Sequence, residues 1–156
     1  MISEIDGNIA LFVKPKLLHT YLTLDPRSKG YIGEYIALKI LQHRVLRNYI
    51  SRTLGLKKPS IKLLGQPGKP DFVVLTEDGK VTAIGEVKIR FATYEEAPNV
   101  ADSLRRLCIQ EAIYHATDYE AEYAMFISIV LTNREQIVEG ITAYEVHIEY
   151  GIVYVG

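Results

Sequence analysis

The hydrophobic pattern of the chain changes period several times, and each change marks an element. Residues 70–88 hold two apolar, β-rich runs, starting at Phe72 and Val81 and joined by Glu77-Asp78-Gly79-Lys80. An Asp-Gly pair between such runs predicts a β-hairpin, because glycine takes positive φ without a Cβ clash. With Asp78 and Gly79 as the loop residues, position 77 faces 80, 76 faces 81, and Asp71 faces Glu86. Directly opposed residues have Cβ atoms about 5 Å apart. Lys88 lies two residues past Glu86 and projects to the same face. The pattern thus gathers two carboxylates and an ammonium at one end of an otherwise apolar hairpin.

The flanking patterns are helical and extended. Tyr31 to about Leu54 reads as one helix. Ile32, Ile36 and Ile40 form its stripe, which Tyr35 and Leu41 widen, and Gly55 stops it. Lys39, His43 and Arg47 form another row. Val100 to about Tyr119 reads as a second helix, with Leu104, Leu107, Cys108 and Ile109 apolar. Arg106, Gln110 and Tyr114 share one of its faces. Tyr123 to Leu131 is almost wholly apolar and predicts an inner strand covered on both sides. Ala143 to Tyr150 alternates as a half-exposed strand, and Ile152 to Val155 reads as a terminal strand pairing with it across Gly151.

Shorter stretches read less sharply. Ile9 to Val13 is a short strand or helical turn, Ser60 to Leu64 a short strand, and Arg134 to Gly140 a short helix or loop. Gly65 to Pro70 does not have the spacing of a phosphate-binding loop and precedes a strand, so it reads as a turn that delivers Asp71. The order helix, hairpin, helix, strand predicts one α/β or α+β domain over residues 1–156, with a central mixed sheet flanked by helices.

Composition agrees with a globular chain that can bury a core: 156 residues, 48% apolar and 24% charged. No apolar run approaches the roughly 18 residues of a membrane-spanning helix, and no basic start precedes a hydrophobic stretch. An intracellular setting is the expectation. The single cysteine, Cys108, excludes an intrachain disulfide and any cysteine-rich metal centre.

Charge changes the reading further. The net charge is −1, but Tyr35 to Pro70 carries no acid against Lys39, Arg44, Arg47, Arg52, Lys57, Lys58, Lys62 and Lys69. Glu111 to Gly156 carries eight acids against Arg134 alone. Such asymmetry points to a polyanion partner on one side of the molecule. Two adjacent carboxylates next to a covered sheet repel unless a proton or cation intervenes. Hard oxygen ligands suit Mg²⁺ or Mn²⁺. The alternative is a structural ion pair between Lys88 and Asp71 or Glu86.

Pro70-Asp71, fourteen intervening residues and then Glu86-Val87-Lys88 resemble the signature of the PD-(D/E)XK nuclease superfamily. The chain also resembles the small nucleases encoded by archaeal viruses, which would place it in a host cytoplasm. The resemblance implies a restriction-endonuclease-like core and Mg²⁺-dependent hydrolysis of DNA, double-stranded and with little sequence preference. Asp71, Glu86 and Lys88 would be catalytic, with the metal on Asp71, Glu86 and the Val87 carbonyl. Glu34 would be a further acidic residue near the metal. Gln110 and Tyr114 resemble the Q-x-x-x-Y motif of RecB-like branches. Lys39, Arg44, Arg47, Arg52, Lys57, Lys58 and Lys69 would contact the nucleic-acid backbone. Two alternatives stay open: a Holliday-junction-type resolvase, which requires a homodimer, and a non-enzymatic nucleic-acid-binding protein.

Overall fold

A computed structural model describes residues 7–156. The first six positions of the ambiguous N-terminal stretch lie outside the described residues. The chain is mixed α/β: among the described residues six strands form one mixed sheet, and four helices pack on it. In chain order the elements are β1 (Asn8–Val13), α1 (Pro15–Thr23), α2 (Pro26–Leu41), α3 (Arg44–Leu54), β2 (Ser60–Leu63) and β3 (Phe72–Leu75). Then follow β4 (Val81–Ala92), α4 (Ala97–Asp118), β5 (Tyr123–Val138) and β6 (Ile141–Tyr154).

The sheet order is β1-β6-β5-β4-β3-β2. Only β4 and β5 run parallel, and α4 is the crossover that a parallel pair needs. α1, α2 and α3 cover one face, packing against Phe72, Val74, Met125, Ile127 and Ile129. α4 covers the other, against Val73, Ile84, Ala124 and Val130. The alternation of β3 and β5 therefore feeds two cores. Each wholly buried Ile or Leu of β5 contributes about 1.5–3 kcal/mol.

The hairpin reaches the expected register by a different route. Phe72 pairs with Gly85, Val73 with Ile84 and Val74 with Ala83. The loop, however, is not the two-residue Asp78-Gly79 turn, and 77 does not pair with 80 nor 76 with 81. Leu75 pairs with Val81, and the ladder shifts between Val74 and Leu75. The Thr76 N–H donates to the Lys80 carbonyl at 2.9 Å, and its hydroxyl, which also contacts Asp78, accepts from the Lys80 N–H at 3.0 Å. This side chain closes a longer turn, with Gly79 at φ +83°. The bulge then absorbs Thr82 as an extra residue and restores the register below it.

Other expectations change as well. The helix from Tyr31 to Leu54 is two helices. α2 starts earlier, with Asp25 accepting from the Ser28 N–H at 2.8 Å as N-cap, and ends at Leu41. His43 caps α3, its ring nitrogen accepting from the Val45 N–H. Gly55 ends α3 in the left-handed region, as expected. Arg134 to Gly140 is neither helix nor free loop: β5 runs on to Val138 and turns through Glu139-Gly140 into β6. β6 is continuous through Gly151, so no terminal hairpin forms there; its partners are β5 and β1. Tyr35 does not widen the buried stripe of α2; it is 54% exposed.

Two glycines place the site. Gly33 lets α2 approach β4 closely, since a Cβ there would meet Ile89 at 2.9 Å. Gly85 leaves room for the Phe72 ring, which a Cβ would meet at 2.1 Å.

Candidate active-site groove

β3 ends its ladder at Phe72–Gly85, whereas β4 continues seven residues further, paired there only with β5. The free edge of β4 from Glu86 to Phe91 forms one wall of a groove of about 790 Å³. α1 and α2 supply another wall through Tyr21 and Glu34, the 66–69 loop a third, and α4 the last through Glu111 and His115.

Asp71 enters at the point where β3 begins. Its N–H donates to the Gly85 carbonyl at 3.0 Å, and its Oδ2 accepts from the Val87 N–H at 2.7 Å. These two bonds fix Asp71 beside the β4 edge. A strand residue sends its N–H and C=O to the same side, so the Val87 carbonyl faces that edge too. Glu86 is buried on the α4 side, at 4% exposure. Burial first, then the neighbouring Asp71 carboxylate, pushes its pKa up to about 9.

Among the described residues Glu86 Oε1 has no hydrogen-bond partner although it is buried. His115 Nε2 stands 3.3 Å away, but not in hydrogen-bonding geometry. Ser128, the ladder neighbour of Lys88, likewise buries an unpaired hydroxyl.

Lys88 does not pair with Asp71 or Glu86. Its Nζ lies 2.7 Å from Glu111 Oε2 on α4. Burial acts to lower the ammonium pKa; the hydrogen bond and charge of Glu111, with the charge of Glu86, outweigh it and hold the pKa above the usual lysine value. Glu34 lies on the groove wall, its pKa raised by burial and then by Asp71. Cys108 packs in the core beneath, its thiol directed to the Glu86 carbonyl at 3.3 Å.

The groove thus gathers Asp71, Glu86, Val87, Lys88 and Glu34. Gln110 and Tyr114 are outside it; both are exposed, Tyr114 at 70%. Their neighbours Glu111 and His115 face the sheet instead. The signal for them was present: Cys108, Glu111, Ala112 and His115 fall on one helical stripe, offset by one residue from the Gln110–Tyr114 row. Of the basic set, Lys69 alone lines the groove, joined by Lys29 and Arg90, which the charge pattern did not single out. Lys39 lies with His43 in a separate apolar pocket beside Ile9 and Leu11 of β1. Arg44, Arg47 and Arg52 are exposed on α3, and Lys57 and Lys58 on the loop after it.

Compared with protein-family models, curated proteins and solved structures, the chain matches none. No helix among the described residues is long and apolar enough to cross a membrane.

Among the described residues no group of three or more His, Cys, Asp or Glu side chains is arranged to hold a metal ion unaided. A cage of protein ligands is not what Mg²⁺ requires, since it keeps several waters and takes one or two carboxylates plus substrate phosphates. Asp71, Glu86 with its unpaired Oε1, and the edge carbonyl of Val87 fit that donor set.

Proposed function

We propose that the chain is a divalent-cation-dependent nuclease that hydrolyses DNA phosphodiester bonds on a restriction-endonuclease-like, PD-(D/E)XK-type core. The observation that carries this reading is the Asp71–Glu86 pair at the open edge of β4, with Glu86 Oε1 buried and unpaired. Such a pair is costly in a protein that does not use it.

In this reading Asp71, Glu86 and the Val87 carbonyl hold Mg²⁺ or Mn²⁺. When bound, the cation polarises a phosphoryl oxygen and lowers the pKa of a bound water. Asp71 lines the groove and is held there by the Val87 N–H. Lys88, kept charged by Glu111, acts as a fixed cation that orients the water and stabilises charge on phosphorus, not as the base. Lys29, Lys69 and Arg90 offset the repulsion between phosphate and the acids. None of these groups reads bases, so little sequence preference follows.

The test is incubation of the pure protein with linear and circular DNA, in Mg²⁺ and in EDTA. Cleavage in Mg²⁺ that EDTA abolishes supports the reading. Salt-dependent DNA binding without hydrolysis in either Mg²⁺ or Mn²⁺ overturns it in favour of a binding protein.

A further inference from the structure

α2 carries an outward row that the groove alone does not explain. Arg27, Tyr31, Tyr35 and Lys39 follow one another at intervals of four residues, so they share one helix face. The two tyrosine rings are 50% and 54% exposed, while Ile36, Ala37 and Ile40 on the same helix are buried. A cation closes each end. The Arg27 guanidinium lies 6.0 Å from the Tyr31 ring centre, and Lys39 Nζ lies 5.5 Å from that of Tyr35. Arg27 Nε also donates to the Tyr31 hydroxyl at 3.1 Å, which ties the ring in place. This row enters the site: Arg27 and Tyr31 line a cavity of about 410 Å³ together with Glu34 and Asp71. The cavity shares Glu34, Gln66, Pro67 and Asp71 with the main groove.

Exposed aromatic faces beside backbone-binding cations are the elements of a single-strand binding track. Spacing decides against a duplex. Rings one helical turn apart are separated by about 5–6 Å at Cβ, whereas bases stacked in a duplex strand rise about 3.4 Å. A base on each ring must leave its neighbour, which only an unpaired strand permits. We propose that Arg27, Tyr31, Tyr35 and Lys39 form a stacking track that guides an unpaired DNA strand to Asp71 and Glu86. This rests on the nuclease reading and deepens it: the substrate is single-stranded DNA or an unpaired extension, rather than an intact duplex.

The track is tested by anisotropy with a fluorescein-labelled ten-residue oligothymidylate and a labelled duplex of equal length, in EDTA at fixed salt. The wild-type chain binds the single strand more tightly. Replacing both rings by alanine, Tyr31→Ala with Tyr35→Ala, weakens that binding at least about 30-fold, since each stacked base is worth roughly fivefold or more. Tyr31→Phe with Tyr35→Phe stays within about threefold of wild type, because the ring faces remain. Duplex binding moves little in either. Alanine variants that bind as wild type, phenylalanine variants that fall as far as alanine, or equal losses on the duplex overturn the track. Adding Mg²⁺ separates this from the parent reading. Ring-dependent binding without cleavage removes the nuclease and keeps the track; cleavage indifferent to the rings does the reverse.

Discussion

Lys88 Nζ stands 2.7 Å from Glu111 Oε2, so the lysine of the Glu86-Val87-Lys88 triplet is tethered to α4 rather than to the carboxylates beside it in sequence. Among the described residues neither Asp71 nor Glu86 pairs with a lysine or arginine, and His115 stands 3.3 Å from Glu86. The tether also defines what Lys88 can do. A lysine held charged supplies an electrostatic contact, and removing one such contact from a transition state costs on the order of 10²–10³ in rate.

The first prediction follows from that tether. Lys88→Ala lowers the cleavage rate by about 10²-fold or more. Glu111→Gln costs less, and because Glu111 holds the Lys88 pKa up, it moves the alkaline limit of the pH–rate profile to lower pH. An unchanged alkaline limit in Glu111→Gln means that Lys88 is not the group being titrated.

The buried Glu86 makes stability depend on pH. Its folded pKa is about 9 against 4.5 for an unperturbed carboxyl, so the folded chain retains a proton that the unfolded chain loses. The contribution is fully present below the unfolded value and is lost progressively as pH rises through the folded one. Without divalent cations, denaturant midpoints decline steadily from pH 5 to pH 9. Glu86→Gln flattens that slope and is the more stable protein at pH 8. Parallel pH slopes for the two proteins would contradict the burial of Glu86 as an acid.

Glycines give a pair of predictions of opposite sign. A Cβ at Gly85 meets the buried Phe72 ring at 2.1 Å, so Gly85→Ala destabilises by about 1–3 kcal/mol. Gly30 sits inside α2 with nothing within 4 Å of an added Cβ, so Gly30→Ala stabilises by about 0.5–1 kcal/mol. Urea midpoints of the two variants read both. Similar midpoints would mean that Phe72 does not lie over Gly85.

Much of this was legible in the sequence, and the gaps have identifiable causes. Tyr123 to Leu131 announced a central strand because an all-apolar run has only one environment in which to sit. Asp71 and Glu86 could be paired because a two-residue side-chain period leaves little freedom of register, even though Thr76 and the Thr82 bulge made the turn itself unpredictable. Glu111 and His115 were missed because choosing between adjacent helix rows needs the sheet they pack on. Tyr35 was misread because a tyrosine at an apolar position serves equally as core or as exposed ring. The break at Gln42-His43 carries neither glycine nor proline. The basic segment looked continuous in sequence, yet α3 and the loop after it hold most of its charges outside the groove lining.

The thiol supplies a check on the wall beneath the site. Cys108 is wholly buried, and that burial raises its pKa to about 12. Native protein therefore leaves Cys108 unmodified by a thiol reagent at pH 8, and it reacts on addition of denaturant. Rapid modification of the native chain would show that α4 does not seal against β4 and β5.

The most direct measurement is single-turnover cleavage of DNA in Mg²⁺ by wild type and by Glu86→Gln, a variant that keeps the shape of the side chain and removes its charge. Cleavage by wild type alone, with Glu86→Gln still folded and still binding DNA, is the predicted result. Equal rates from the two proteins would contradict the assignment of Asp71 and Glu86 as the cation-holding pair.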